Sequence, residues 1–533
     1  MSLRKKVRDA MEKAGANMQI TQEFRSIFDV AGVPAFNQFY TFGIFPWKYV
    51  YKGFYSPWHV VPAPTILNEK ETRQMSSMHA AKAVCAEMAG LIVSELNVHV
   101  STGQTLTGDQ TDPLDDFVQK VLKENNFNQK MQEHVEESLA LGGGGLKAWY
   151  DVKHDSEGNE IPDSGKIMIG FALADQFVPV DWDNAKVNGC VFISRRAIKG
   201  YYYTRLEWHR YDGTTYSIDN QLYKAAINKY SSHESQDILG FRYPLNTIYP
   251  FLDEHTEIKD MPSALFTYYR TPIANNLDDD SPLGMSIYGN AMETIHALDI
   301  CYDSFIREFR LGRRRIIVPA SSVKQVIDPN TGTPRRYFDA TDEVYQAFST
   351  DDPDAMKVQD DTVSLRVEEH VSAINAFLSI LCLQVGFSAG TFTFNQSNGV
   401  RTATEVISEE SKTYKSVVNM QQQIKPAIEQ IVRAVINIAR LYDVQADGVD
   451  FATLKDDDYE VKVDFDDSIL EDRGAKIDEG LKLTSAGLMS KKTFLINTLG
   501  MTEDEADHEM QRIADEKKVT ASIFDLSGNN TGE

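Results

Sequence analysis

Side chains able to do chemistry are plentiful in this sequence, yet few stand at the spacings that chemistry requires. Eleven histidines run from His59 to His508, and no HxxxH or HExxH sets two of them one helical turn apart for a metal ion. Cys85, Cys190, Cys301 and Cys382 form no CxxC pair. They therefore read as small buried apolar residues in a reducing compartment rather than as zinc ligands or a redox centre. The acidic runs Asp278–Asp280, Asp360–Asp361 and Asp456–Asp458 lack the alternating ligands and glycine of a calcium loop, and read as solvated turns and helix starts. No GxSxG elbow offers a covalent nucleophile. Gly142 to Gly145 invite a phosphate-loop reading, but such a loop runs strand, glycines, helix and ends in Gly-Lys-Ser/Thr. Here a helical stretch precedes the glycines and the strand-like LKAWYD follows them. They are expected to end a helix in a tight turn where side chains would clash. No catalytic residue, cofactor or metal site is expected, and the chain reads as a non-enzyme.

Two polar features remain. Arg313, Arg314 and Arg315, joined by Arg335 and Arg336, form the densest basic patch. Such a patch is either solvated surface or a docking point for an acidic partner or DNA phosphates. The segment SAGTFTFNQSNGVR, Ser388 to Arg401, is too rich in Gly, Ser and Asn for a helix and should be a loop. Within it Ser388, Thr391, Thr393, Asn395 and Gln396 offer neutral hydrogen-bonding groups, Phe392 and Phe394 alternate with them, and Arg401 carries the only charge.

The elements that must hold these features are legible from periodicity. Residues 20 to 66 are aromatic-rich and punctuated by Gly and Pro, which suggests short strands and turns. A helix is expected from about Glu71 to Glu95, and a second one over DDFVQKVLKENNFNQKMQEHVEESLAL, ending at the four glycines. Residues 146 to 270 read as strands. Between Pro282 and Gly312 a helix of about 28 residues would span roughly 40 Å. Ile287, Ala291, Ile295, Leu298, Tyr302, Phe305 and Phe309 form its apolar stripe. His296, Asp299, Asp303, Arg307 and Arg310 form an opposite arc for water or a polar channel. A small β-rich insert with a turn at Asn330 to Gly332 follows. Next comes a helix carrying Val371, Ile374, Phe377, Leu378, Leu381 and Val385 on one arc. After the Ser388–Arg401 loop, a very long helix begins at Thr402 with a capping box to Glu405, and Pro426 should kink it. The strand-like YEVKVDF and short helices with a polar tail complete the chain.

With 533 residues, of which 42% are hydrophobic and 25% charged, the chain is long enough for several cores and has the composition of a folded protein. Its formal charge of −24 argues against a protein that grips nucleic acid over its whole surface. The amino terminus lacks the apolar core of a signal peptide, and no run approaches a membrane span, so a soluble protein made in the cytoplasm is expected.

The ordered set of elements resembles the portal proteins of long-tailed bacteriophages. MHAAKAVCAEMAGLIVSE is similar to that family's amino-terminal helix, LALGGGGLKAWYD to its glycine turn, and SPLGMSIYGNAMETIHALDICYDSFIREF to the start of its first stem helix. GVRTATEVISEESKTYKSVVNMQQQIKPAIEQIV resembles its long helix, and LEDRGAKIDEGLKLTSAGLMSKKTFLINTLGMTEDEADHEM its crown, so the likeness runs from about Glu71 to Glu516. The resemblance implies an α+β portal fold with long helices around a central channel. Its parts would be a wing over 1–284, stem helices over 285–312 and 367–387 and a clip over 313–366. A tunnel loop over 388–401, a long kinked helix and wing return over 402–462 and a crown with polar tail over 463–533 would complete it. It further implies a dodecameric ring at the virion's portal vertex, assembled in the host cytoplasm, through which double-stranded viral DNA is packaged and ejected. The implied partners are the terminase, the head–tail connector, and capsid and scaffolding proteins, with no membrane. On this reading Arg313, Arg314, Arg315, Arg335 and Arg336 dock partners. Ser388, Thr391, Phe392, Thr393, Phe394, Asn395, Gln396 and Arg401 would contact DNA without reading its sequence. Two alternatives are a nucleotide- or nucleic-acid-processing enzyme with an unrecognised site, and another virion structural protein, which would usually be dominated by sheet.

Overall fold

The computed structural model describes residues 23–24, 27–33, 36–64, 69–93, 96–103, 112–155, 157–161, 164–184, 186–227, 239–278, 280–312, 316–317, 324–327, 332, 334–337, 359–360, 364–394, 403–465, 473–499, 501 and 506–513. After a short strand β1 (Glu23–Phe24), the aromatic-rich amino-terminal part is mostly helical: α1 (Ile27–Ala31), α2 (Phe36–Phe39), a π-helical turn (Tyr40–Ile44), α3 (Phe45–Tyr51) and α4 (Ser56–His59). The expectation of short strands holds there only at Glu23–Phe24 and Val60–Pro62; the rest of the described stretch is mostly helix. Its aromatic side chains pack on one another, as in Phe28–Tyr40 at 4.6 Å and Phe39–Trp47 at 5.8 Å. Proline occupies the first turns of α3 and α4, where its missing N–H costs nothing.

Strands β2 (Val60–Pro62) and β3 (Thr72–Gln74) pair before helix α5 (Ala80–Val93), so the helix expected from Glu71 starts nine residues later. Strand β4 (Leu96–Ser101) leads to α6 (Pro113–Glu124) and α7 (Phe127–Leu141). The single helix expected here is broken at Asn125 and Asn126. Asn126 adopts φ 50°, and the buried Asn125 amide donates to Val121 O and Ile167 O at 2.9 Å and accepts from Ile169 N at 2.9 Å. A polar side chain that satisfies three backbone groups of the core outweighs the continuation of one helix.

The four glycines end α7 as expected. Gly142 caps the helix at φ 90°, and a Cβ there would strike the carbonyl of Gly284. The other three open strand β5 (Gly143–Asp151), and a Cβ on Gly144 would enter the space of Ser138 and His134. Strand β6 (Lys166–Leu173) pairs with β5. Strands β7 (Phe177–Asp183), β8 (Lys186–Ile198), β9 (Tyr201–Tyr211), β10 (Tyr216–Ala226), β11 (Gly240–Tyr243) and β12 (His255–Ile258) build an antiparallel sheet, with β1 at one edge, in the order β1-β11-β10-β9-β8-β7. Strand β12 pairs with β10, and β13 (Phe266–Arg270) joins β5 and β6 in a second sheet. The strand-rich reading of 146–270 is therefore correct.

Helix α8 (Met292–Leu311) has 20 residues, shorter than expected. Residues 281–288 do not form its first turns because they are buried as an irregular turn, with Ile287 N donating to Leu139 O at 2.9 Å and the hydroxyl of Thr271 donating to Met285 O at 2.5 Å. The insert is β-rich where described: β14 (Ile316–Ile317) pairs with β17 (Gln359–Asp360), and β15 (Lys324–Ile327) with β16 (Pro334–Tyr337). Helices α9 (Val367–Val385) and α10 (Ala403–Leu441) follow, and the second, of 39 residues, stays helical through Pro426. The carboxy-terminal half of α10 is buried on nearly all sides, from Ala427 through Ala439. Strand β18 (Glu460–Phe465) then returns to pair with β4, and α11 (Arg473–Ser485), α12 (Lys491–Leu499) and a helical stretch over 506–513 end the described chain. Cys85, Cys190 and Cys382 are buried, and Cys301 is partly so. Among the described residues no helix is long and apolar enough to cross a membrane.

Candidate functional site: a clamped helix pair and the segment beyond it

Helices α8 and α9 lie side by side and straddle the insert. Near the insert, Phe305 meets Phe309 at 5.2 Å and His370 at 5.6 Å, and Arg366 grips Glu308 with hydrogen bonds of 3.2 and 2.8 Å. This guanidinium holds the Glu308 carboxyl down at about 2. The apolar stripe of α8 is buried at Ile295 and Leu298 but becomes exposed by Phe309, where 47% of the residue is open. Ile380 and Leu383 of α9 are likewise open, Leu383 by 70%.

The arc opposite the stripe faces water only in part: Arg310 is exposed and Arg307 half-buried, but the two carboxylates are withdrawn. Asp299 and Asp303 are buried, covered by His59, Arg73 and the stretch from Ser76 to Met78. Asp299 accepts hydrogen bonds from the Met78 amide at 2.7 Å and the Ser77 hydroxyl at 3.1 Å, and its other oxygen meets His59 Nε2 at 3.0 Å. Asp303 accepts from both Arg73 guanidinium nitrogens, at 3.0 and 2.7 Å, and from the Ser76 amide at 3.1 Å. Burial alone would raise the Asp303 carboxyl, but the Arg73 and Ser76 donors hold it below the ordinary carboxylate range. His296 stacks on Trp58 at 4.6 Å, and burial lowers its imidazole. The His296, Asp299 and Asp303 part of the arc is thus a clamp that fixes α8 to the amino-terminal part. Its partners Arg73, His59 and Ser77 carry no periodic signal in the sequence; only the surplus of carboxylates on a half-apolar helix hinted that something must neutralise them.

Beyond α9 the chain turns at Gly386, which adopts φ 87°. The turn is stitched to α10: Ser416 Oγ donates to Gly386 O and Lys412 Nζ to Leu383 O, both at 2.8 Å. Ser388 is buried, with its amide donating to Thr413 Oγ1 at 2.8 Å, so its hydroxyl serves this junction and is not on the subunit's surface. Thr391, Thr393 and Phe394 are exposed, Phe394 by 52%. The Phe394 amide donates to Asn375 Oδ1 of α9 at 2.9 Å. Phe392 turns inward onto Phe387 at 5.2 Å, and Phe392 and Phe394 face the same space. They line a cavity of about 270 Å³ with Met78, Val84, Leu378 and Leu381. Asn395, Gln396 and Arg401 lie outside the described residues, as do Arg313, Arg314 and Arg315. Arg335 and Arg336 are on β16, opposite Val326 and Gln325. Among the described residues no cluster of His, Cys, Asp and Glu could hold a metal ion.

A helix pair clamped at one end, a β-rich insert at the other and a long buried helix after the turn define an α+β protein of the portal class. The family model for phage portal proteins, SPP1 Gp6-like, matches residues 47–522, and the chain belongs to that family. Similar solved structures include a chain in the virion of a native gene transfer agent (GTA) particle, 10% identical with a TM-score of 0.37, covering 78% of this chain and 89% of that one. Another lies in the neck of an empty GTA particle computed with C6 symmetry, 11% identical with a TM-score of 0.37, covering 79% and 89%. No curated protein matches the sequence.

Proposed function

We propose that this chain is the subunit of a ring, a dodecamer, at the portal vertex of a phage virion, and that double-stranded DNA passes through its channel during packaging and ejection. The observation that carries this reading is the outward apolar surface of the helix pair. Phe309, Ile380 and Leu383 are exposed on helices whose other faces are already packed, and such side chains call for neighbouring copies to cover them. In this assembly α8 and α9 are the stem, the insert over 313–366 is the clip, and the segment over 388–401 is the tunnel loop. The wing spans 1–284 and returns through 402–462, and 463–533 is the crown. The clip docks the terminase motor and later the head–tail connector through Arg313, Arg314, Arg315, Arg335 and Arg336, while capsid and scaffolding proteins surround the ring. Twelve copies at −24 each carry −288. A wall that neutralises few phosphates releases few counterions, so DNA slides without sticking.

The subunit is structural, and the packaging energy comes from a separate ATPase; ATPase and nuclease assays on the purified chain should read zero. Negative-stain images of the purified chain should show rings with a central hole, and a mass that stays monomeric at high concentration overturns the reading. Removal of residues 391 to 397 should leave rings intact while impairing completion or retention of packaging. Normal packaging by that deletion would reduce the segment to a connector. Replacing Arg313, Arg314 and Arg315 by Ala should preserve rings and weaken motor binding in a salt-dependent way.

A further inference from the structure

One end of one face of the large antiparallel sheet carries cations that the ring reading does not use. Arg196 on β8 and Lys224 on β10 both stand directly opposite Tyr203 of β9, so the three share one side of the sheet. Tyr201 and Arg205, two residues either way along β9, and Tyr243 on β11, paired with Leu222, fall on that same side by the two-residue alternation of strands. Lys224 Nζ lies 4.2, 5.3 and 4.7 Å from the ring centres of Tyr201, Tyr203 and Tyr243. Tyr249 covers Arg196 and Arg205 at 5.2 and 5.1 Å. Arg205 is committed to Glu207 at 2.5 Å. Arg196 and Lys224 have no carboxylate partner among the described residues and are held only by aromatic rings.

Aromatic faces position a cation without neutralising it, because the ring brings a quadrupole and no net charge. In a chain of −24, two such cations side by side over tyrosine rings stay open to an anionic partner. The two charges sit two strand spacings apart, about 10 Å. We infer that this face of the sheet binds the phosphate backbone of double-stranded DNA from outside the channel, without reading sequence. Lysine, arginine and tyrosine are ordinary donors to phosphate oxygens. The inference takes DNA as the partner from the proposed function, but it concerns a different element from the helix pair and tunnel loop.

Covalently closed circular duplex DNA tests it, because a circle cannot thread a closed ring and can reach only outer surfaces. Binding of full-length assembled protein to closed circles is measured from about 50 to 200 mM salt. The comparison is with Arg196→Gln combined with Lys224→Met, which keeps the aliphatic stems. Removing two phosphate contacts should lower the slope of log affinity against log salt by about 1.8, so that the wild type loses about tenfold more affinity over this range than the variant. Lys224→Arg, which keeps the charge, should bind as the wild type does. Equal slopes for the wild type and a folded double variant overturn the inference, as does the absence of any binding to circles. Binding of a poly-glutamate peptide in place of DNA also overturns it, by pointing to an acidic protein partner. A failure of the ring reading itself would appear separately, in micrographs and in the loop deletion.

Discussion

Asp299 sits where a half-apolar helix would ordinarily place a charge in water, yet the residue is 1% exposed. Its carboxylate is tolerated because His59, Ser77 and the Met78 amide all point at it. Removing one member of such a set strands the others. Asp299→Ala should therefore cost about 3–5 kcal/mol of unfolding free energy, measured by denaturant titration, where exposed carboxylates cost almost nothing. His134 makes the opposite point. It is buried against Phe171 and Tyr269, and that burial pushes its imidazole down to about 3. The native state keeps it neutral while the unfolded chain takes up a proton near 6.5. The stability it contributes is complete above about pH 6.5 and is lost as pH falls toward about 3. Unfolding free energy should drop across that window, and His134→Gln should flatten part of the slope. Glu308, held at about 2 by Arg366, acts lower down: its contribution is present above about pH 4.5 and disappears as pH falls through about 2.

At the scale of elements, the glycine turn and the break between α6 and α7 invite direct tests. A side chain at position 142 must be accommodated against the Gly284 carbonyl at a positive φ, so Gly142→Ala should lower the melting temperature far more than Ala at the open, positive-φ Gly213. Asn125→Ala should leave two strand carbonyl and amide partners unpaired at about 1–3 kcal/mol each. Much of this level was legible in the sequence. The strand-rich region, the glycine turn, the β-rich insert and helix α9, expected over 367–387 and found at Val367–Val385, all follow from local period and turn residues. What was not legible depended on distant partners. Phe28 and Tyr40 looked strand-like but helices satisfied their mutual packing. Residues 282–288 had helical spacing, but Ile287 N is taken by Leu139 O at the end of α7. The polar arc of α8 looked like a wet face because its neutralising groups lie more than two hundred residues earlier, as Arg73 does for Asp303. Ser388 looked like one hydroxyl among many in a loop until Thr413 of the following helix claimed it.

For the whole molecule, the test of assembly is the apolar surface of the helix pair. Ile380→Ser with Leu383→Ser on α9 removes exposed groups, so the folded subunit should melt within about 0.5 kcal/mol of the wild type. The same variant should fail to form rings in sedimentation, because these groups contribute only when a neighbour covers them. A variant that still forms rings would place the contact elsewhere on the subunit.

The pairing of β4 with β18 joins Leu96–Ser101 to Glu460–Phe465 across most of the chain. During synthesis, β4 therefore leaves the ribosome long before its sheet neighbour among the described residues is made. At ordinary elongation rates of about 5–20 residues per second, the wait is on the order of 20 to 70 seconds. Throughout that time a strand edge with Val98 and Val100 beside it stands unpaired, the kind of edge that recruits other nascent chains. Completion of the subunit is thus timed by translation of its last seventh: a cell making this protein must shelter each nascent chain until then, and a polypeptide stopped at residue 459 should accumulate in the insoluble fraction.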